Sequence, residues 1–199
     1  MRDTVVVFAR APRLGRVKRR LGREIGERAA LRFHVATLTA VLRGLKACRR
    51  FDVVLAVTPD RARFRLAVAI PRMAQGHGDL GGRMSRALRR YRRVALIGCD
   101  IPDACAADLL AAFRGLGRAD AVFGPASDGG YWLVALGPRR PGDLFGRSRW
   151  STEHALADTL KQFRHHRVGF VRELADVDTA ADYRGYVARE VPGFRLGLA

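Results

Sequence analysis

Three aspartates in this sequence follow, or alternate with, hydrophobic residues in a way that suits cation binding. Asp100 comes directly after the apolar run Val94–Gly98, and Asp176 and Asp178 flank a valine near the end of the chain. A carboxylate beside a buried strand is costly without a positive partner, and alternate residues of an extended segment face the same side. A divalent cation is one such partner. The alternative at each place is an acidic residue that caps the following helix.

A basic loop follows the first strand-like segment, Thr4–Ala9. Its notable residues are Arg10, Pro12, Gly15, Arg16, Lys18 and Arg20. The glycine permits a tight turn, the proline stiffens the loop, and arginine binds phosphate oxygens with two hydrogen bonds. Neither a Walker sequence nor the G-x-G-x-x-G of dinucleotide-binding proteins is present. The residues therefore indicate either a phosphate-binding loop or an ordinary basic surface loop.

A glycine-dense segment, residues 75–84, is the next candidate. It has four glycines in the seven residues 76–82, between Gln75 and Arg83. Backbone amides at the start of the following helix would bind an anion or a sugar hydroxyl. The alternative is a flexible connection in which Asp79 caps that helix.

The segment Asp128-Gly129-Gly130-Tyr131 lies between two strand-like runs. Asp-Gly in this position is an ordinary hairpin signal. Paired glycines also allow a substrate to approach the backbone closely, with the aromatic side chain of Tyr131 packed against it. Both interpretations stay open from the sequence.

The composition excludes several classes of protein. The chain has 199 residues, and none of its apolar runs is longer than six residues, whereas a membrane helix needs about twenty. Its three cysteines include no C-x-x-C pair, which argues against structural zinc and against a disulfide framework. We expect a cytoplasmic protein without a membrane span, formed by a single domain over residues 1–199.

The net charge of +18 is almost entirely arginine. Nucleic-acid platforms interleave basic and aromatic side chains, but the basic runs at residues 16–20 and 89–93 contain one aromatic residue, Tyr91. Small polyphosphates or solvated helix faces explain the charge better. We therefore expect small-molecule substrates and no nucleic acid. A basic nucleic-acid-binding protein is the alternative from another class, and the oligomeric state stays open.

Short β-type runs alternate with longer helical patterns along the chain. Strands are predicted at Thr4–Ala9, Asp52–Thr58, Leu66–Ile70, Val94–Gly98, Ala119–Gly124, Tyr131–Leu136 and Arg167–Val171. Helices are predicted at about 30–48, 83–91, 108–116, 151–163 and 179–189. This order predicts an α/β fold with a mostly parallel sheet, helices on both faces and one antiparallel intrusion. Ligands in such folds bind at the carboxyl ends of the strands.

Six motifs in this order resemble a known bacterial family. They are F-A-R-A-P-x-x-G-R-V-K-x-R-L, Q-G-x-G-D-L-G-x-R-M, L-I-G-C-D-I-P-D, G-P-A-S-D-G-G-Y-W-L, W-S-T and D-V-D-T. Together they are similar to the radical-SAM/selenodomain-associated transferase 1 family, which belongs with the GT-A-like nucleotide-diphospho-sugar transferases. More distant relatives include 2-phospholactate guanylyltransferase and the molybdenum-cofactor nucleotidyltransferases. The resemblance spans residues 4 to about 186 and implies a three-layer α/β/α sandwich.

The resemblance also implies roles for individual residues. The implied metal ligands are Asp100, Asp178 and Asp176, with Mg²⁺ or Mn²⁺ as the ion. The implied catalytic residues are Asp100, Lys18 and Arg16. Contacts to nucleotide and phosphate are implied for Ala9, Arg10, Pro12, Gly15, Arg16, Lys18, Arg20, Gln75, Gly76, Asp79 and Arg83. Contacts to an acceptor are expected from Asp128, Gly129, Gly130, Tyr131 and Trp150.

Two chemistries fit these roles. A glycosyltransferase would move a sugar from a nucleotide sugar to a small-molecule acceptor. A nucleotidyltransferase would move a nucleoside monophosphate from a nucleoside triphosphate to a phosphorylated small molecule, with release of pyrophosphate. The chain lacks the D-x-D of many glycosyltransferases because residue 98 is glycine, which favours the second chemistry. A catalytically inactive nucleotide sensor on the same fold is a further alternative.

Overall fold

The computed structural model describes residues 2–190, which form a seven-stranded sheet covered by helices. The strands are β1 (Asp3–Arg10), β2 (Phe51–Thr58), β3 (Arg72–Ala74), β4 (Val94–Gly98), β5 (Ala121–Pro125), β6 (Tyr131–Leu136) and β7 (Val168–Phe170). The α-helices are α1 (Arg19–Ile25), α2 (Glu27–Ala47), α3 (Leu80–Leu88), α4 (Ala106–Gly115), α5 (Ala155–Leu160) and α6 (Ala180–Glu190). A short 3₁₀ helix, Lys161–Phe163, continues α5.

The strand order is β3-β2-β1-β4-β6-β5-β7. Strand β6 runs antiparallel to both of its neighbours, β4 and β5, and the other strand pairs are parallel. The sequence-based prediction of a mostly parallel α/β sheet with one antiparallel intrusion is therefore confirmed. Because β1 pairs with β2 on one side and β4 on the other, the chain changes direction of winding between β1 and β4.

Alternating side chains of the central strands build a core on each face of the sheet. Val5 and Val7 of β1 point to the face covered by α2 and α4, and Val6 and Phe8 point to the face covered by α3 and the 3₁₀ helix. All the described side chains of β4 except Gly98 are buried. Burial on both faces explains why these strands read as continuous hydrophobic runs in the sequence.

The predicted strand Leu66–Ile70 is wrong, because the edge of the sheet is formed by β3 a few residues later. Segment 66–70 bends at residues 67 and 68, and its alternate apolar side chains pack on the core. Its carbonyl groups at Ala67 and Ala69 accept hydrogen bonds from Arg43 and Lys46 of α2 instead of from a strand. The alternation therefore reflects packing under a helix and not strand pairing.

Several predicted helix boundaries also differ. Helix α3 starts at Leu80, three residues earlier than expected, because Asp79 accepts a hydrogen bond from Gly82 N at 2.8 Å and caps it. Helix α5 starts at Ala155 and not near residue 151, since the Thr152 hydroxyl donates to the Arg149 carbonyl in a preceding turn. The short helix α1 lies between the basic loop and α2, where the sequence pattern predicted no element.

Within residues 2–190, none of the helices has the length and hydrophobicity needed to cross a membrane.

The hairpin between β5 and β6 requires glycine at position 129. Gly129 has φ +82, and a Cβ there would lie 2.2 Å from the carbonyl oxygen of Glu153. The Gly129 carbonyl also accepts a hydrogen bond from Leu156 N, which ties the turn to α5. Backbone atoms cannot move aside as a side chain could, so a substitution here strains both segments.

We predict that Gly129→Ala lowers the free energy of unfolding by about 2 kcal/mol or more. The matched control is Gly142→Ala, because nothing lies within 4 Å of a Cβ at that exposed glycine. The control should change stability by less than about 0.5 kcal/mol. Urea unfolding of both variants measures the difference, and equal stability would contradict the packing described for Gly129.

Candidate active site

The carboxyl ends of β1 and β4 meet where the direction of winding changes, and three polar segments converge there. The loop after β1 begins at Arg10, and Asp100 lies two residues beyond β4. The segment after β7 returns across the strand ends, since Leu174 N donates to the Pro125 carbonyl and Val177 N donates to the Asp100 carbonyl at 3.3 Å. Crevices at such switch points are where open α/β sheets bind ligands.

A cavity of about 660 Å³ opens at these strand ends. Its polar lining includes Arg10, Arg16, Lys18, Arg19, Arg20, Gln75, Arg83, Asp100 and Asp178. Its apolar and aromatic lining includes Phe8, Leu80, Met84, Leu96, Tyr131, Trp132 and Trp150. A volume of this size, with a few convergent polar groups on an apolar wall, is typical of a small-molecule site.

The three predicted acidic residues come together at one edge of this cavity. One carboxylate oxygen from each of Asp100, Asp176 and Asp178 lies within 4.8 Å of the others. Val177 between the last two is buried, so the two aspartates share the opposite side of the extended segment, as the alternation predicted. Carboxylate oxygens are the ligands that Mg²⁺ and Mn²⁺ prefer, so this donor set fits a hard divalent cation.

The capping alternative for Asp178 does not apply in this structure. Asp182 accepts hydrogen bonds from the backbone amides of Asp178 and Thr179, and the Thr179 hydroxyl accepts one from Asp182 N. Thr179 and Asp182 therefore cap α6 between them, which leaves the Asp178 carboxylate to face the cluster.

Lys18 is the positive group in contact with the acidic cluster. Its Nζ lies 2.7 Å from Asp178 Oδ1 and 3.5 Å from Asp100 Oδ2, and its side chain is only 6% exposed. Burial opposes the ammonium, but the charges of Asp100 and Asp178 outweigh burial and raise the pKa of Lys18 above its ordinary value. Lys18 is therefore charged, and it compensates part of the repulsion among the carboxylates.

Asp176 is the carboxylate that this compensation reaches least. Burial, together with the charges of Asp178 and Asp100, raises the pKa of Asp176 to about 6. Asp128 lies near enough to contribute to the same upward shift. A carboxyl group with such a pKa marks a place where negative charge is concentrated beyond what the protein neutralises.

Four arginines at the cavity have no partner of their own within the described part of the chain. Arg10, Arg16, Arg19 and Arg20 are exposed, and none of their guanidinium groups makes an ion pair or hydrogen bond with residues 2–190. Guanidinium groups gathered without carboxylate partners form a positive surface that attracts and orients phosphate groups.

Gln75 and Arg83 form a fixed polar pair on another wall. Gln75 is buried, and its Nε2 donates to the carbonyls of Ala9 and Ala56, while its Oε1 accepts from Arg83 at 2.9 Å. The pair thus links the end of β1 to α3. Gln75 positions both the Ala9 backbone and the Arg83 guanidinium at the cavity.

An aromatic wall completes the cavity. Trp150 is half-buried and packs edge-on against Tyr131 and Phe145. The Tyr131 hydroxyl accepts a hydrogen bond from Thr159 of α5, and burial raises the pKa of Tyr131 far above its usual value. Tyr131 therefore presents its ring to a ligand, while its hydroxyl stays neutral and is used in packing.

Several residues predicted to contact ligand do not line the cavity. They are Pro12, Gly15, Gly76, Asp79, Asp128, Gly129 and Gly130. Asp176 is not in the lining either, although it belongs to the carboxylate cluster beside the cavity. Asp79 caps α3, which is the alternative that the sequence left open, and Gly76 gives space to Arg86, whose Nη1 would lie 2.4 Å from a Cβ. The Asp128 carboxylate accepts from Gly130 N inside the hairpin turn. These positions shape the loops around the cavity.

Sequence reasoning missed some residues that the structure places at the cavity. His34 lies on the apolar face of α2, yet it lines the cavity, and its Nε2 makes a hydrogen bond with the Arg10 carbonyl at 3.2 Å. Burial lowers the pKa of His34, so the ring is neutral and donates to that carbonyl. A polar residue within an otherwise apolar helix stripe was the available signal. The sequence holds no such signal for Leu96 and Thr58, because they resemble ordinary strand residues.

The chain belongs to the bacterial family DUF2064, described as uncharacterized proteins conserved in bacteria, whose model matches residues 41–152. It is similar to a protein from Desulfovibrio desulfuricans G20 that is assigned to the nucleotide-diphospho-sugar transferases. The two are 29% identical, with a TM-score of 0.88, and the match covers 97% of this chain and 90% of that protein. No curated protein sequence matches the chain.

Two more distant structures share the fold alone. The 4-diphosphocytidyl-2C-methyl-D-erythritol synthase of Anaerococcus prevotii DSM 20548 is 12% identical, with a TM-score of 0.59 over 95% of this chain and 98% of the synthase. The manganese complex of Rv0371c from Mycobacterium tuberculosis H37Rv is 19% identical, with a TM-score of 0.53 over 93% of this chain and 97% of that one. The fold, a mostly parallel α/β sheet with one antiparallel strand, is that of the nucleotide-diphospho-sugar transferase from D. desulfuricans.

We predict that Asp176→Asn stabilises the protein near neutral pH. The raised pKa of Asp176 means that the folded protein binds its proton more tightly than the unfolded chain does. Stability from this group is therefore greatest below about pH 4 and falls as the pH rises through about 6. Asparagine at position 176 removes this loss of stability. The free energy of unfolding should therefore rise by about 1 kcal/mol at pH 7.5, after allowance for solvent screening, and stay unchanged at pH 4.

Thermal or urea unfolding at both pH values measures this effect. Asp52→Asn is the control for the change in net charge, since Asp52 is an exposed carboxylate that pairs with Arg2 at the start of β2. A gain for Asp176→Asn that is the same at pH 4 and pH 7.5 would contradict the crowding of negative charge at the cluster.

Proposed function

We propose that this protein is a divalent-metal-dependent transferase that uses a nucleotide-activated donor, and that it acts on a small-molecule acceptor. The observation that carries the proposal is the convergence, beside one cavity, of three carboxylates from two distant segments with four arginines that have no side-chain partner among residues 2–190. Acidic and basic groups that do not neutralise each other favour a ligand that carries both positive and negative charge. A polyphosphate with a bound divalent cation is such a ligand.

Different residues would bind the metal ion and the phosphate groups. Asp100, Asp178 and Asp176 would hold Mg²⁺ or Mn²⁺, which when bound neutralises charge on the phosphate oxygens. Arg10, Arg16 and Arg20 would bind phosphate oxygens, and Lys18 would add a point charge there. Asp100 stands just beyond β4, and the segment that carries Asp176 and Asp178 is fixed to it by the hydrogen bond from Val177 N to the Asp100 carbonyl. The groups would therefore supply positioning and electrostatic stabilisation, which carry most of the catalysis in such transfers.

The nucleoside and the acceptor would bind against the remaining walls of the cavity. The Gln75–Arg83 pair and the Ala9 backbone support a nucleoside at the end of β1, and the rings of Tyr131 and Trp150 support the acceptor. Asp128 and the paired glycines Gly129 and Gly130 would act on the acceptor through the shape of the hairpin. We place the protein in the radical-SAM/selenodomain-associated transferase 1 family, as a single domain over residues 1–199.

We also propose the cytoplasm as its location and small molecules, not nucleic acid, as its substrates. Cys48, Cys99 and Cys105 are free thiols in the structure, which suits a reducing compartment.

The first version of this function is glycosyl transfer. A nucleotide sugar would bind with its diphosphate at the arginines, and an acceptor hydroxyl would attack the sugar carbon. The bond from that carbon to the diphosphate oxygen breaks, and nucleoside diphosphate leaves with both electrons. The similarity to the D. desulfuricans protein supports this version, because that protein is assigned to the nucleotide-diphospho-sugar transferases.

The second version is nucleotidyl transfer, in which an acceptor phosphate attacks the α-phosphorus of a nucleoside triphosphate and pyrophosphate leaves. A specific observation favours it. Residue 98 is glycine, so Asp100 is not part of a D-x-D pair at the end of β4. Six basic side chains line the cavity: Arg10, Arg16, Lys18, Arg19, Arg20 and Arg83. That much positive charge suits a triphosphate together with a phosphorylated acceptor.

We predict that Asp100→Asn weakens metal-dependent nucleotide binding by about tenfold or more, because it removes one charge from the cation site. The fold should persist, since Asp100 is half-buried at a strand end. Asp103→Asn is the matched control, because Asp103 is nearby but pairs with Arg189 outside the cluster. Isothermal titration of nucleotides with Mg²⁺, checked by circular dichroism, measures the effect. Binding by Asp100→Asn at wild-type strength would remove this residue from the site.

Product analysis separates the two versions. The protein is incubated with Mn²⁺, a panel of nucleoside triphosphates and nucleotide sugars, and pools of phosphorylated and unphosphorylated acceptors. Release of nucleoside diphosphate from a nucleotide sugar supports glycosyl transfer, and release of pyrophosphate from a triphosphate supports nucleotidyl transfer. Tight nucleotide binding without either product would instead indicate a sensor on the same fold.

A further inference from the structure

We infer that Lys18 occupies the cation position between Asp100 and Asp178 until a polyphosphate binds, so that metal binding at this site depends on the bound nucleotide. The inference rests on the proposed function, because it takes a phosphate-bearing substrate to be the alternative partner of Lys18. It assigns to Lys18 control over the order in which metal and nucleotide bind, in addition to a contact with phosphate.

The contacts of Lys18 place its charge where a metal ion would act. The ammonium is 2.7 Å from Asp178 Oδ1 and 3.5 Å from Asp100 Oδ2. Both oxygens belong to residues of the three-carboxylate cluster. Mg²⁺ binds oxygen ligands at about 2.0–2.1 Å, so an ion on these residues would stand very close to the ammonium. Two cations at such a separation repel each other, and the burial of the ammonium limits the screening of that repulsion by water.

Lysine suits this placement better than arginine. Of 37 basic residues in the chain only three are lysines, and the neighbouring basic residues Arg16, Arg19 and Arg20 are all arginines. A compact ammonium is a point charge that can lie between two carboxylates, whereas a planar guanidinium favours a paired contact with one of them. The side chain that contacts the cluster is therefore of the type that a metal ion can replace.

A second position for Lys18 exists beside the first. Lys18 lines the same cavity as Arg16, Arg19 and Arg20, which have no partners within the described residues. A phosphate bound by those arginines would lie within reach of the flexible four-carbon side chain. Once the ammonium binds that phosphate, the carboxylates are free to bind the metal ion, which phosphate oxygens also help to hold.

The backbone at Lys18 is compatible with a residue that exchanges partners. It adopts a left-handed conformation, φ 45 and ψ 49, directly before α1. Residues other than glycine rarely adopt this conformation, and it persists only where surrounding contacts hold it. Here the Lys18 carbonyl accepts a hydrogen bond from Gly22 N at 2.8 Å, which holds the backbone at the start of α1 while the side chain changes partners. Metal and nucleotide binding are then linked through one side chain.

The test measures Mn²⁺ binding to the full chain by water-proton relaxation, with and without inorganic tripolyphosphate. This readout distinguishes Mn²⁺ on the slowly tumbling protein from the small Mn²⁺–tripolyphosphate complex. Without tripolyphosphate, Lys18→Gln should bind Mn²⁺ about tenfold tighter than wild type, because the competing cation is gone. With tripolyphosphate, wild-type affinity should rise by about tenfold and the difference between the two proteins should shrink to about threefold or less.

Lys161→Gln is the matched control. It removes the same charge and a similar contact, since Lys161 Nζ lies 2.8 Å from Asp158 Oδ1, outside the cluster. Its Mn²⁺ affinity should equal that of wild type within about twofold. A tenfold gain in this control as well would mean that net charge alone governs binding, and would overturn the inference.

Lys18→Asn provides a second variant if the glutamine variant folds poorly, because asparagine tolerates left-handed backbone. Mn²⁺ should raise its melting temperature more than that of wild type in the absence of phosphate. Mn²⁺ binding by both variants that is no tighter than wild type overturns the role of Lys18 while the proposed function stands. Absence of Mn²⁺ binding in every protein, with or without tripolyphosphate, overturns the proposed function itself.

Discussion

Repulsion among Asp100, Asp176 and Asp178 is the constraint around which the functional end of this molecule is arranged. Three carboxylates with oxygens within 4.8 Å of one another are unfavourable unless positive charge lies among them. Lys18 supplies one charge, and its contacts reach two of the three groups. Burial and the uncompensated charges of Asp178 and Asp100 together raise the pKa of Asp176. A ligand that carries both positive and negative charge explains why excess negative charge lies half-buried next to the exposed arginines.

The sheet places the acidic cluster and the basic loop side by side at the same end of the strands. The strand order places the ends of β1 and β4 side by side, so the basic loop and Asp100 emerge next to each other. The chain after β7 then crosses the strand ends and is fixed to Asp100 through the amide of Val177. The pair formed by the buried Gln75 and the half-buried Arg83, together with the aromatic wall around Trp150, completes the lining of the cavity. The strand ends therefore fix where these segments meet, while the arginine side chains and that of Lys18 are left to adapt to a ligand.

Much of this could be predicted from the sequence, for physical reasons that also explain the failures. Runs of β-branched residues identify β1, β2 and β4 because burial on both faces leaves no polar positions, and the strand-end rule indicates that Asp100 and Asp178 lie together. The contact of Lys18 with Asp178 joins residues far apart in the chain, and no local pattern announces it. Residues 66–70 alternate like a strand but pack beneath α2, since the period reports which side is buried and not which backbone groups are paired. For Asp79 the sequence predicts a ligand contact, with a helix cap as the alternative, because both roles use the same residue types. The structure shows the cap.

The segment that crosses from β7 to β4 has a consequence for how the molecule assembles. Residues 174–178 can lie beside Asp100 only after β5, β6 and β7 have formed, because their backbone contacts are with Pro125 and Asp100. β7 is a three-residue edge strand, and its only partner strand in the described sheet is β5. A chain that had folded its central strands but not this edge would retain most of its hydrophobic core and yet lack two of the three carboxylates. Cation affinity would thus distinguish a fully assembled molecule from one that is merely collapsed.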